Sequence, residues 1–171
     1  MAARARPLPP LRLPRRIVSG GQTGVDTGAL EAALRLGVET GGWVPAGRTN
    51  EAGRIPDRYA GLVEADSVDP AERTRRNVEA AGTTLILTVA GAVSPGTALT
   101  LEHARALGRP HATVRLGAGD PGVAASAIRA FLSLHAAEVL NVAGPRESEA
   151  PGIGGWAEAA LVAALSGAGR G

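Results

Sequence analysis

The chain predicts an α/β fold: a Rossmann-like, doubly wound, mostly parallel sheet of about five strands with helices on both faces. Three observations predict it. Short apolar runs alternate with segments of helical periodicity from Ile17 to Leu165. Strands separated by helices are joined by crossovers, which favour parallel pairing and right-handed connections. The last helical segment carries Ile153, Trp156, Leu161, Ala164 and Leu165 on one stripe, as packing on a sheet requires.

The elements follow in order. Arg16-Ile17-Val18-Ser19 reads as a short strand ending in Gly20-Gly21. A helix runs from there to about Leu36, with Leu30, Ala33 and Leu34 on one face and Gly37 as its stop. Residues 38–44 read as a weaker strand, broken by Gly41-Gly42. Residues 45–69 hold few periodic signals and read as a long connection, a kind of segment that is more often functional than empty. Pro70 opens a polar helix through about Ala81, and residues 84–89 form the clearest buried strand. A helix over 95–107, a strand at 112–116 and a helix over about 121–135 come next. A strand at 139–142 and a helix from Pro151 to about Leu165 complete the pattern.

The 171 residues suit one domain, since single domains usually hold roughly 100–200 residues. Residues 1–15, rich in Arg and Pro, read as a disordered leader, and 16–171 as a single domain. All 18 basic residues are arginine. Five of them precede the first acid, Asp26; the remaining 13 face 16 acids, so the body carries a formal −3. A negative body with only four aromatics (Trp43, Tyr59, Phe131, Trp156) argues against a nucleic-acid platform. Cysteine is absent, which removes disulfides, zinc-thiolate sites and thiolate catalysis. No apolar run approaches the roughly 20 residues of a membrane span, so a cytoplasmic protein is expected.

Open parallel sheets bind ligands at the carboxyl ends of their strands. Three glycine-bearing turns fall there: Gly20-Gly21-Gln22-Thr23-Gly24, Gly91-Ala92-Val93-Ser94-Pro95-Gly96-Thr97 and Gly144-Pro145-Arg146. Each precedes a helix whose free N–H groups suit an anion. Thr23 is a natural N-cap of the first helix, and Ser94 or Thr97 of the second. Asp26 reads as a first-turn dipole partner rather than a base. Arginine supplies the countercharge, with Arg48 and Arg146 best placed because both follow strand ends. The candidate binding residues are therefore Gly20, Gly21, Gln22, Thr23, Gly24, Arg48, Ser94, Gly96, Thr97, Gly144 and Arg146. His103, His111 and His135 lack metal-ligand spacing and read as structural, so neither catalytic residues nor a metal site are assigned. Without lysine there is no Walker loop, the Gly-x-Ser-x-Gly pattern is not met, and Gly-x-Gly-x-x-Gly is not matched at residues 20–28.

Several blocks together carry a family resemblance. They are residues 17–26, Gly41-Gly42-Trp43-Val44-Pro45-Ala46-Gly47-Arg48, Ile55-Pro56-Asp57-Arg58-Tyr59, Arg76-Asn77-Val78, residues 82–87, Gly96-Thr97-Ala98-Leu99-Thr100 and residues 141–148. In this order they resemble the molybdenum cofactor carrier proteins, the circularly permuted YpsA branch of the SLOG Rossmann-like superfamily. The resemblance spans roughly residues 16–165. It implies a carrier that binds and protects the molybdenum cofactor, a molybdopterin with a terminal phosphate, as ligand and without a catalytic cofactor. It also implies molybdoenzymes as recipients and a homo-oligomer, dimer or tetramer. One departure is Pro95, where family members commonly show glycine; it removes a backbone donor.

The alternative is a nucleotide-acting hydrolase of the LOG phosphoribohydrolase type, whose motif places a glutamate three residues beyond the threonine. Here Thr100 holds that place and Glu102 lies two further on, a turn of about 200° around a helix. A third class, the single-stranded DNA modules sharing this fold, is opposed by the negative body.

Overall fold

The computed structural model describes residues 7–90 and 94–170. Gly91, Ala92 and Val93 of the second turn lie outside the described residues, as do residues 1–6 of the leader. The elements are β1 (Arg16–Val18), α1 (Val25–Leu36), β2 (Glu39–Val44), β3 (Thr49–Asn50), β4 (Gly53–Arg54), β5 (Leu62–Glu64) and α2 (Pro70–Ala80). They continue with β6 (Thr83–Thr88), α3 (Pro95–Ala106), β7 (His111–Arg115), α4 (Gly122–Leu134), β8 (Val139–Ala143) and α5 (Ile153–Leu165).

Six strands form one sheet in the order β5-β2-β1-β8-β6-β7, and every pairing is parallel. The chain winds outward through β1, β2 and β5, then restarts at β6 and β7 and returns to insert β8 beside β1. That insertion places the switch point between β1 and β8, where a crevice opens at the carboxyl ends. Helices α1, α4 and α5 pack together, and α2 pairs with α3 on the opposite face.

Two strand expectations change. The sheet has six strands rather than about five, because β5 hides within the long connection. Its three residues show no alternation a sequence could reveal, with Leu62 buried and the next two exposed. Strand β2 is also unbroken at Gly41-Gly42. A side chain on Gly42 would lie 2.1 Å from the Ser19 carbonyl, so glycine there lets neighbouring backbones close up instead of ending the strand.

The two sheet faces differ in chemistry. Ile17, Leu85, Leu87, Leu140 and Val142 join Val25, Ala29, Ile128, Ile153, Leu161 and Leu165 in the main core. The alternate positions of the same strands, Val18, Thr84, Ile86, Thr88 and Asn141, turn toward α2 and α3, where polar Asn77, Thr97 and Thr100 are buried as well. One face is held by apolar burial, at about 25 cal/mol per Å². The other holds buried polar groups that must find partners.

The long connection is built, not empty. Ile55, Tyr59 and Leu62 pack on Leu30 and Val44 as a second cluster. Arg48, with its side chain 11% exposed, organises the rest. Its guanidinium donates to the carbonyls of Ile55 (3.3 Å), Leu62 (3.3 Å), Pro56 (3.2 Å) and Tyr59 (2.9 Å). The leader is tethered from Leu11 onward: Leu11 is buried, Gly169 N–H donates to its carbonyl at 3.1 Å, and Leu13 N–H donates back to Gly169 at 2.9 Å.

Arg48→Ala strands four carbonyls around a residue held at φ 50°, a backbone conformation those bonds help to maintain. We expect a loss of roughly 2–3 kcal/mol. A lowered urea midpoint at unchanged slope checks it; an unchanged midpoint removes Arg48 as the organiser.

Candidate functional site

The site grows from a contact between two turns far apart in sequence. Gly24 has φ 77°, and a side chain there would strike the Pro145 carbonyl (2.5 Å) and the Arg146 backbone (2.7 Å). Gly144 is as tightly enclosed: a β-carbon on it would lie 2.1 Å from the Leu87 carbonyl and 2.6 Å from Val25 Cγ2. Only residues without a β-carbon allow the β1–α1 turn, the loop after β8 and the end of β6 to meet at one edge.

The side chains of the first turn then lock it to its neighbours. Thr23 does not cap α1 as its position suggests; Gly24 holds the cap position and makes no side-chain cap bond. Instead Thr23 Oγ1 accepts from Glu147 N–H at 3.1 Å and donates to the Glu51 carboxylate. Packing against the last loop draws Thr23 outward, away from its own helix, and Val25 N–H is met by the Pro145 carbonyl at 3.2 Å. Gln22 Oε1 accepts from Thr23 N–H (3.0 Å) and Glu51 N–H (3.1 Å).

The amides that the sequence offers as open are in large part matched by the chain's own carboxylates. Gln22 N–H donates to Asp26 at 3.1 Å, Arg146 N–H to Glu149 at 3.1 Å and Ser148 N–H to Glu51 at 3.1 Å. Glu147 takes Gly152 N–H and, at 3.1 Å, Gly154 N–H at the start of α5. Buried or half-buried backbone donors must be paired, and acidic residues a few positions on in the same turns, with Glu51 from the β3–β4 hairpin, supply the acceptors.

The remaining candidates divide. Arg146 is half-exposed on the rim, 3.9 Å from both Glu51 and Glu149. Arg48 points into its own connection rather than to the rim. Ser94 caps α3, accepting from Thr97 N–H at 3.4 Å, and the two hydroxyls lie 2.8 Å apart. Space beside Gly96 is open. Hydrogen bonds between described residues do not join Ser94, Gly96 or Thr97 to the other two turns. Of the other arginines, Arg54 pairs with Asp57 at 2.9 Å, and Arg76 lies 4.6 Å from the Trp43 ring centre.

At the switch point a small crevice of about 30 Å³ is lined by Gly20, Asp26, Arg73, Asn77, Thr100 and Asn141, among others. Such a volume admits one or two water-sized groups. Asn77 is committed to β2, accepting from Trp43 N–H at 2.7 Å and donating to its carbonyl at 3.1 Å. Asn141 makes one side-chain bond, to Thr84 Oγ1 at 3.4 Å. Arg73 donates to the Gly20 carbonyl at 3.3 Å through Nη1, while its buried Nε has no partner. Turn patterns do not point to this group. Its signals in the sequence are an asparagine inside the buried strand β8 and Arg73 four residues before Asn77 on α2.

Larger concavities lie elsewhere. One of about 630 Å³ sits at the amino ends of the strands, where Arg12, Arg15 and Arg170 share it with Glu39 and Glu138. We assign the chemistry to the carboxyl edge, because the unmatched donor and the glycine turns are there.

Asp26 stands in the first turn of α1, is buried, 7% exposed, and faces the crevice. Burial pushes its carboxyl up to about 6 from an ordinary 3.8, against the Arg73 charge and the Gln22 and Gly20 N–H groups. The folded chain therefore binds this proton more tightly than the unfolded chain. Its contribution to stability is present below about pH 4 and lost as pH rises to about 6. Asp26→Asn, neutral throughout, should gain on the native protein across that window by on the order of 2–3 kcal/mol. Urea unfolding of both at pH 4, 5, 6 and 7 checks it; a constant difference overturns the assignment.

Comparison with known proteins places this geometry. The model of the circularly permutated YpsA SLOG family matches residues 17–165. The crystal structure of a protein named "putative molybdenum carrier protein", from Syntrophus aciditrophicus SB, superposes with a TM-score of 0.84. It is 36% identical in sequence, over 91% of this chain and 98% of that one. None of the curated proteins matches. The matched span runs from within β1 to the last residue of α5 and takes in every turn described above, so the chain belongs to the circularly permutated YpsA SLOG family.

Proposed function

We propose that this protein binds and protects an anionic, phosphate-bearing cofactor, the molybdenum cofactor, as cargo. The observation that carries the reading is Arg73 Nε, a buried donor without an acceptor at the switch-point crevice. Leaving such a donor unmatched costs roughly 1–3 kcal/mol, which an incoming acceptor oxygen recovers. The similar protein from Syntrophus aciditrophicus SB, whose name includes molybdenum carrier, supports the choice of cargo.

The residues fit that cargo in kind. Arg146, Thr23 and the Ser148 hydroxyl and amide converge from two loops and already gather a carboxylate, so the donor set accepts oxyanions. Gly20, Gly21, Gln22 and Gly24 hold those donors in place, with Gly144 beneath them. Ser94, Gly96 and Thr97 stand at the start of α3, and Thr100, one turn on, lines the crevice. Arg48 acts at a distance, by shaping the connection that carries Glu51. In this reading the ligand is bound and oriented without bond-breaking, recipients are molybdoenzymes of the cytoplasm, and the protein works as a dimer or tetramer. No helix among the described residues is long and apolar enough to cross a membrane.

The test is chemical protection. Released cofactor incubated with the protein should keep its power to reconstitute a cofactor-free molybdoenzyme longer than with an inert protein. Arg146→Ala should weaken that protection about tenfold, the worth of one charge-assisted hydrogen bond. Equal decay with and without the protein rejects the carrier reading.

A second reading, a nucleotide-acting hydrolase, is favoured by one feature: Asp26, a buried carboxyl whose proton affinity suits acid–base work near neutrality. Against it, Thr100 occupies the buried place of the hydrolase glutamate, and Glu102 is exposed. The carrier reading expects no free adenine from AMP at high protein concentration. Base release that disappears in Asp26→Asn would establish the enzyme instead.

A further inference from the structure

We infer that Glu51 is a built-in competitor for the ligand's anionic group, so that the rim admits dianionic oxyanions and turns away monoanionic ones. The inference rests on the reading of that rim as an anion site. It concerns a residue on the β3–β4 hairpin that neither the turn pattern nor the family likeness assigns.

The geometry is that of an occupied site. The Glu51 carboxylate receives Ser148 N–H at 3.1 Å, Ser148 Oγ–H at 2.6 Å and the Thr23 hydroxyl, with Arg146 Nη1 at 3.9 Å. Two hydroxyls, one amide and a guanidinium, drawn from the first turn and the last loop of the sheet edge, converge on two oxygens. That is the donor set an oxyanion would take, and the chain fills it with its own carboxylate. The Ser148 and Thr23 hydroxyl bonds, with the Ser148 amide and the Arg146 charge, hold the Glu51 carboxyl below its ordinary range, although partial desolvation opposes them. It is therefore an anion at neutral pH, and replacing it is an exchange of anion for anion.

The hairpin is placed to release it. Its tip lies over the first turn through Asn50 Nδ2 to the Gly21 carbonyl (2.9 Å) and Glu51 N–H to Gln22 Oε1 (3.1 Å). Its ladder is only two residue pairs long, Thr49 with Arg54 and Asn50 with Gly53. The base is clamped separately by Arg48, so the tip can lift without dissolving the connection.

Charge then sets the selection. A tethered carboxylate acts at an effective concentration in the millimolar range, as short linkers give. A free monoanion offers the rim nothing that Glu51 does not already supply. A dianion adds a second charge beside Arg146, whose other neighbour is the Glu149 carboxylate. It also offers more acceptor oxygens to the same donors.

The experiment titrates the full chain and its Glu51→Gln and Glu51→Ala variants by calorimetry at pH 8. The probes are inorganic phosphate, a dianion there, and acetate. We expect both variants to bind phosphate about tenfold tighter than the native chain, and acetate binding to appear only in the variants. In the native chain, hydrogen exchange should show the Glu51 amide losing protection when phosphate is added, while the Ser148 amide stays protected. Phosphate binding that is unchanged or weaker in both variants, or a Glu51 amide that becomes more protected with phosphate, overturns the inference and makes the hairpin a strap that helps hold the ligand. Absence of phosphate binding to all three folded proteins overturns the anion reading of the rim itself, and this inference with it.

Discussion

The structure depends on a backbone-to-backbone approach at the carboxyl edge of the sheet. Gly24 lies against the Pro145–Glu147 backbone, and Gly144 lies against the Leu87 carbonyl and Val25. Any β-carbon at either place would fall well inside van der Waals contact with backbone, which cannot yield as a flexible side chain can. Through this contact β8 is seated between β1 and β6, and the two turns that bracket the switch point become one rim. The hydrogen bonds of Thr23, Gln22 and Ser148 follow from that approach; they do not create it.

Division of labour between the sheet faces is the second constraint. The α1, α4 and α5 face is a continuous apolar core and supplies stability. The α2 and α3 face buries threonines and asparagines, which pair with one another, as Asn141 with Thr84, or with backbone, as Asn77 with Trp43 and Thr100 with Gly96. Arg73 Nε is the buried side-chain atom left over among the described residues. A protein with apolar burial concentrated on one face can carry a polar crevice on the other, with Asp26 desolvated beside a fixed arginine. That carboxyl is the cost of the arrangement, since burial disfavours its charge and Arg73 only partly compensates.

A third feature is that an anion-binding rim need not be bare. Glycine turns at helix starts present donors, and those donors must be satisfied in the folded chain whatever ligand comes later. Here Asp26, Glu51, Glu147 and Glu149 meet them. Counting donors along a sequence therefore overstates how open such a site is. Of these acids only Glu51 reaches in from another loop; Asp26, Glu147 and Glu149 stand within seven residues of the amides they meet.

What the amino-acid order determined by itself was local: the alternation of apolar runs and helical stripes, the proline starts of α2 and α3, the glycine stop of α1 and the family blocks. These depend on near neighbours, so periodicity and turn chemistry reveal them. The parallel α/β sheet and the carboxyl-edge turns were legible for that reason, whereas three-residue β5 was too short to leave a pattern. Only tertiary structure decided where the side chains of those turns would go. Arg48 turned inward to four carbonyls of its own connection, Thr23 left its cap for Glu147, and Glu51 reached Ser148. The Thr23–Glu147, Glu51–Ser148 and Arg73–Gly20 bonds join residues 124, 97 and 53 positions apart. Long-range pairing of that kind has no period and no spacing; it is set by which backbones can approach, and that is decided only when the sheet closes.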